Sequence, residues 1–379
     1  MKSVPARCVI LGAGRTGCGF AARLCQRAGW PYVLVDRDPR RVSDLSRGIQ
    51  VELLDGRGIA VPLHPLGISR LDVSDWHGAF MSAELAFTSV VGSNLGELGR
   101  ALAPVLAWRC EKAPQYFLNI ITLENTAAAG AVIRAAVLEN LPHDARRWLN
   151  EKVGIVEGMV LCTCLSSENP GVVRSQDFHR LPCDKAAFRG PVPALPGLEP
   201  LEGFENQLRR KIYTYNSINA VLSYLGRRAG CRLLHEAARD PSLRELAVAA
   251  GAEAGAALVA EYGFDRAEQE RWTRMALEKF ADANIPDPIA RNAADPVRKL
   301  SREDRLVGPA RLAIKHGIQP HALVQGLLAA IQYRDGDTPT PLETMSGDLQ
   351  RLLREICGLE KDGALMGFVL EQAGTRSPA

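Results

Sequence analysis

Lys211, Asn216 and Asn219 stand in KIYTYNSINAVLSYLG, residues 211–226, with apolar and aromatic residues in the gaps. A lysine drawn out of water holds its proton less firmly, because desolvation disfavours the ammonium. Near neutral pH it can then take a proton from an alcohol while hydride leaves the same carbon. A nearby amide can donate to the oxygen on which charge develops. At helical spacing Lys211, Tyr215 and Ile218 share one stripe, and Asn216 and Asn219 an adjacent one. On spacing alone, a solvated helix face explains the same residues.

Hydride chemistry needs a carrier, and the first forty residues contain the elements to hold one. CVILGAGRTGCGFAARLC opens on a short apolar run, Cys8 to Leu11, that suits a buried parallel strand. Gly12, Gly14 and Gly17 follow in G-x-G-x-x-G order, ahead of an apolar helix-forming run. The first glycine permits a tight turn, the second lets backbone approach a pyrophosphate, and the third lets helix and strand pack closely. The cofactor turn is therefore Gly12, Ala13, Gly14, Arg15, Thr16 and Gly17, with the helix N-terminus facing the phosphates.

A second apolar strand, in YVLVDRDPRR, ends at Asp36, nineteen residues past Gly17, where a carboxylate accepts from ribose hydroxyls. That favours NAD over NADP, although Arg37, Arg40 and Arg41 stand close enough in sequence to attract an extra phosphate. A strand from Leu85 to Val91 leads into Ser93 and Asn94, and QYFLNIITLEN ends in Glu124 and Asn125. Ligands of open α/β sheets sit beyond the carboxyl ends of strands, so Val91, Asn94, Glu124 and Asn125 are expected to face the cofactor. Helix capping is a competing job for Asn94 and Asn125.

These elements make the expected fold α/β: an N-terminal Rossmann-type, doubly wound parallel sheet followed by a mostly α-helical domain. The 36 residues LSSENPGVVRSQDFHRLPCDKAAFRGPVPALPGLEP look irregular or edge-strand-like, and Pro191 to Pro200 reads as a linker. The expected domains are 1–195, binding NAD, and 200–379, helical and carrying substrate and catalysis. The active site is expected in the cleft between them. Arg298, Lys299 and Arg305 form a compact basic group suited to a substrate phosphate. Local pairing with Asp295, Glu303 and Asp304 is the alternative.

Composition is that of a globular chain, 46% hydrophobic and 23% charged over 379 residues. A net charge of +3 argues for neither nucleic acid nor a membrane surface as partner. No apolar run is long enough to span a bilayer, and no secretory leader is expected. The nine cysteines are scattered, and Cys162 and Cys164 lack further partners for a zinc site. Reduced thiols, a cytoplasmic setting and no metal are expected.

Read in order, LGAGRTGCGF, TSVVGSNL, LENTAAAG, KIYTYNSINAVLSYLG, ALVAEYGFD and DPVRKLSREDRLVGPARLA resemble the polyol-specific long-chain dehydrogenase/reductases along nearly the whole chain. The resemblance implies zinc-independent, NAD-linked interconversion of a polyol phosphate and a ketose phosphate, of the mannitol 1-phosphate and fructose 6-phosphate type. It assigns the base to Lys211 and the oxyanion donor to Asn216. The family's motif has a histidine where this chain has Asn219, and an Asp-Arg pair followed by Ile and Pro where this chain reads VGIVEGMVLCTCLS. Two alternatives follow from these departures: a related polyol or sugar-acid dehydrogenase of different substrate, or a nucleotide-binding homologue with impaired catalysis.

Overall fold

The computed structural model describes residues 5–124, 128–334 and 336–374. Asn125, expected at the cofactor, lies outside the described residues. The chain divides into two compact units, Met1–Phe204 and Glu205–Ala379. The division falls beyond the proline-rich stretch because Leu198–Leu201 is a paired strand of the first unit.

In the first unit the strands are β1 (Cys8–Leu11), β2 (Tyr32–Asp36), β3 (Ile49–Leu53), β4 (Ala60–Leu63), β5 (Gly67–Arg70) and β6 (Leu85–Thr88). They are followed by β7 (Leu118–Thr122), β8 (Val153–Glu157), β9 (Cys164–Ser166), β10 (Val172–Ser175), β11 (Leu181–Asp184) and β12 (Leu198–Leu201). Six strands form one parallel sheet in the order β5-β2-β1-β6-β7-β8. From β1 the chain builds outward through β2 to β5, then returns to place β6, β7 and β8 on the other side. The crevice between β1 and β6 is thus the switch point at which such sheets bind ligands.

The apolar strands are buried on both faces, which is why they read as continuous hydrophobic runs. Alternate residues serve opposite layers. Ile10, Leu34 and Phe87 pack with Phe20 and Leu24 on one side, while Val9, Leu11 and Val35 pack with Leu102, Leu106 and Ile133 on the other.

Two expectations about strands are corrected. The sixth strand stops at Thr88 instead of Val91, freeing Ser89, Val90 and Val91 to line the switch point. The stretch read as irregular or edge-strand-like does contain an edge strand, β9, but β10 is interior: it joins β3 in parallel and β9 in antiparallel within a four-stranded sheet, β4-β3-β10-β9. The long sequence separation between β3 and β10 hides this sheet from local patterns.

The second unit is helical. Its longest helix, Pro241–Tyr262, starts where Asp240 accepts from Leu243 N at 3.0 Å with Pro241 at its first position. It stops at Gly263, whose φ of 68° closes the C-terminus. Beside it runs Ser217–Arg228, buried except for Asn219 and its last two arginines. Among the described residues no helix is long and apolar enough to cross a membrane.

The stretch holding Lys211 is not one regular α-helix. Phe204–Lys211 is α-helical, Ile212–Asn216 widens into a π-helical turn, and Ser217–Arg228 is α-helical again. On an α-helix, residues five apart differ in direction by roughly 140°. A π turn hydrogen-bonds residues five apart and so brings such a pair towards one face. The stripe that sequence spacing assigned to Lys211 and the one assigned to Asn216 are thereby drawn together.

Candidate active site

Each glycine of the first turn has its own reason. Gly12 has a φ of +106°, and a Cβ there would lie 2.3 Å from the carbonyl oxygen of Ser89. At Gly17 a Cβ would lie 2.0 Å from the carbonyl oxygen of Gly12. Gly14 faces open space, with nothing within 4 Å of a built Cβ. Two glycines therefore hold the turn against the end of β6 and the helix, and the third leaves the space in front of the turn open. The fourth, Gly19, is explained by the unforeseen sheet: its Cβ would stand 3.0 Å from Val173 Cγ1 and 3.1 Å from Cys164 Sγ.

Asp36 closes the turn from the end of β2. One carboxylate oxygen accepts from Ala13 N at 2.8 Å and the other from Asp38 N at 2.9 Å. Arg41 Nε donates to the Ala13 carbonyl at 3.0 Å, and its guanidinium reaches Pro170 O at 2.5 Å. Arg37 pairs with Glu97 at 2.8 Å. Two of the three arginines near Asp36 are thus committed elsewhere.

Two adjoining clefts meet at Gly14, Ser89, Val90 and Val91. The first is also lined by Gly12, Asp36 and Asn94, the second by Arg15, Thr16 and Glu124. Ala13 and Gly17 lie buried within the turn itself. Asn94 precedes the helix Leu95–Lys112 but makes no side-chain capping bond, so it is placed at a cleft and not spent as a cap. Glu124 accepts from Thr88 Oγ1 and Val90 N, both at 2.8 Å, and so ties β7 to the residues that line the crevice. Burial raises its pKa, against the pull of those two donors. Ser89, which the sequence reading did not single out, lines both clefts because β6 ends at Thr88, and Arg41, expected only as a cation near Asp36, folds back to line the second.

In the second unit Lys211 is 4% exposed. Burial, helped by the positive charges of Arg305 and Lys279, lowers its pKa from 10.5 to about 7. The π turn beside it is held from two sides. Tyr213 packs so closely on Gly308 that a Cβ there would stand 2.4 Å from the phenol oxygen. Thr214 accepts from Gln269 Nε2 at 2.8 Å. Asn216 closes the π turn, half-exposed. Asn219 donates through Nδ2 to Asn292 Oδ1 at 3.2 Å.

The expected basic group is not an open cluster. Lys299 is 4% exposed, and its amine donates to the carbonyls of Asn292, at 2.5 Å, and Ala294. Arg298 pairs with Asp295 at 2.6 Å and Asp304 at 3.3 Å, and Arg305 Nε donates to Asp304 at 2.7 Å. Lys299 is thereby corrected to an inward-facing cap, since an ammonium satisfied by buried carbonyls has little to offer a phosphate. The unit therefore has a buried amine whose pKa lies near neutrality at the start of the π turn that ends in Asn216, and such an amine is able to move a proton to or from an alcohol oxygen.

The mannitol dehydrogenase Rossmann-domain model matches residues 6–197, and the mannitol dehydrogenase C-terminal-domain model matches 204–355. The chain belongs to the mannitol dehydrogenase family. It is accordingly an oxidoreductase of the NAD-dependent polyol dehydrogenase class. Mannitol-1-phosphate 5-dehydrogenase of Bacillus velezensis is 31% identical over 371 residues, covering 95% of this chain and 98% of that protein. The Bacillus licheniformis enzyme of the same name is 28% identical over 369 residues, covering 95% and 97%.

Among solved structures, substrate-free D-sorbitol dehydrogenase aligns with a TM-score of 0.77 at 14% identity, over 97% of this chain and 92% of that one. Pseudomonas fluorescens mannitol 2-dehydrogenase, in ternary complex with NAD and D-mannitol, aligns with a TM-score of 0.72 at 14% identity, over 99% and 95%. Both share the fold. The glycine-rich turn falls in the Rossmann match, and Lys211, Asn216, Asn219 and Asn292 fall in the C-terminal one.

Proposed function

We propose that this member of the family interconverts a sugar-alcohol phosphate and a ketose phosphate, of the mannitol 1-phosphate and fructose 6-phosphate type. NAD, when bound at the glycine-rich turn, supplies the hydride acceptor. The observation that carries the reading is the buried Lys211, with a pKa lowered to about 7, next to the π turn that ends in Asn216. In the oxidative direction the neutral amine accepts the hydroxyl proton, and the Asn216 amide donates to the same oxygen as it becomes a carbonyl. In the reductive direction the ammonium returns that proton. The proton transfer is assigned to an amine, so the reading calls for no metal.

The open space in front of Gly14 fits a pyrophosphate, and the Asp36 carboxylate at the end of β2 fits an unphosphorylated ribose. Val91, Asn94 and Glu124 are proposed along the cofactor, with Asn125 beyond Glu124. Arg298 and Arg305, both held by Asp304, are the proposed cations for the substrate phosphate. The relatives named above are mannitol-1-phosphate 5-dehydrogenases, which supports the phosphorylated substrate.

Asn219, where the resemblance places a histidine, motivates a second reading, in which the site takes a related polyol or sugar acid. One experiment separates the two: purified protein is followed by nicotinamide absorbance with NADH and NADPH against fructose 6-phosphate, other ketose phosphates, free ketoses and uronates. NADH oxidation with fructose 6-phosphate at the highest kcat/KM supports the phosphate reading. Turnover of unphosphorylated substrates alone replaces it with the second.

A further inference from the structure

We propose that Asn292 is a positioning residue that sets which atom of Asn219 faces the substrate, and thereby makes Asn219 a reader of one substrate hydroxyl. The proposal rests on the dehydrogenase reading of the Lys211 site.

The two amide orientations are fixed by chemistry. Asn292 Nδ2 lies 3.1 Å from the backbone carbonyl of Pro288, which accepts only, so the nitrogen and not the oxygen must face it. Asn292 Oδ1 must then face Asn219, at 3.2 Å, and receives an N–H from Asn219 Nδ2. The guanidinium of Arg291, 3.4 Å from the same oxygen, favours the same orientation. With Nδ2 of Asn219 turned to Asn292, its Oδ1 is turned away, on a half-exposed side chain three residues beyond Asn216. The atom so presented is an acceptor. An acceptor there recognises a hydroxyl donor and rejects a carbonyl or carboxylate oxygen.

Asn292 is itself held rigidly. Its carbonyl takes the Lys299 amine at 2.5 Å, and Tyr224, buried on the helix that carries Asn219, donates to Ala293 O at 3.0 Å. Ile289 N donates to Arg232 O at 2.9 Å, anchoring the start of the short helix Ile289–Ala293. The buried Lys299, which phosphate binding did not absorb, thus acquires a role two steps from the substrate.

The test is a double-mutant cycle on Asn292→Ala and Asn219→Ala, read with the best substrate and a series of its analogues each lacking one hydroxyl. In the wild type, removal of one particular hydroxyl is expected to raise KM about tenfold, the worth of one hydrogen bond. In Asn292→Ala that penalty is expected to shrink to about threefold or less with kcat changed less than about threefold, because the freed amide can turn. Adding Asn292→Ala to Asn219→Ala is expected to change nothing further. Full additivity, or an unchanged hydroxyl profile in Asn292→Ala, overturns the proposal.

Should Asn292→Ala not fold, Asn292→Asp tests the same point from the other side, since its carboxylate still accepts from Asn219 Nδ2. A folded Asn292→Asp is expected to retain the hydroxyl profile, and loss of that profile overturns the proposal. Absence of turnover by the wild type on every polyol and ketose would instead count against the dehydrogenase reading, which keeps the two failures distinct.

Discussion

The backbone N–H of Ala13 donates to the carboxylate of Asp36 at 2.8 Å, so the end of β2 clamps the turn that follows β1. On the proposed reading the same carboxylate also accepts from a ribose, which would give Asp36 a discriminating part beside its structural one.

Asp36→Ala should therefore weaken NADH binding by roughly 10- to 100-fold, the worth of losing charged hydrogen bonds. The ratio of NADPH to NADH affinity should rise, since the charge that repels a 2′-phosphate is gone. Fluorescence titration with both dinucleotides measures this; an unchanged ratio would count against the assigned ribose contact.

Gly14→Ala and Gly17→Ala should part company. At Gly17 the added carbon meets a backbone oxygen at 2.0 Å, which cannot move without opening the turn, so a stability loss of about 2–4 kcal/mol is expected in denaturant unfolding. At Gly14 nothing stands within 4 Å, so Gly14→Ala should unfold like the wild type yet bind NADH poorly. Equal melting of both variants would refute the distinction.

Lys211→Ala should lower kcat for polyol oxidation by at least about 100-fold, in the range attributed to general base catalysis, and leave NADH affinity nearly unchanged. With a lysine pKa of about 7, oxidation should fall as pH drops below that value, while ketose reduction, which needs the ammonium, should fall as pH rises above it. Stability has its own sign. Between about 7 and 10.5 the unfolded chain binds the proton that folded Lys211 has released, so stability should rise with pH across that window. Lys299, also lowered to about 7 by burial, adds in the same direction. Rate profiles without an inflection near neutrality would remove the lysine base.

Lys299→Met should cost about 1–3 kcal/mol in stability by stranding the carbonyls of Asn292 and Ala294. Because this amine faces inward, KM for phosphorylated and unphosphorylated substrates should change by the same factor. A loss confined to phosphorylated substrates would return Lys299 to the phosphate site.

Much of this was legible in the chain because it depends on short-range pattern. Continuous apolar runs such as Cys8 to Leu11 can only be buried strands when glycines follow at once, and the G-x-G-x-x-G spacing specifies a turn by backbone sterics alone. Asp36 could be placed because it ends a strand adjacent in sequence. The capped helix Pro241–Tyr262 announces itself through Asp240, Pro241 and Gly263.

Other features depend on residues far apart in sequence, and no local pattern encodes them. The second sheet exists only because β10 reaches back to β3, and Gly19 acquires its purpose there. The pairing of Asn219 with Asn292 spans 73 residues, and only the folded chain shows that Lys299 turns inward to the carbonyls of Asn292 and Ala294 while Arg298 and Arg305 pair with Asp304. Residue types and spacing determined which groups are capable of chemistry here. Tertiary structure decided the surroundings of Lys211 and Lys299: both are buried with their proton affinity lowered, because folding removes water and brings positive charges near, and Lys299 is tied to the carbonyls of Asn292 and Ala294.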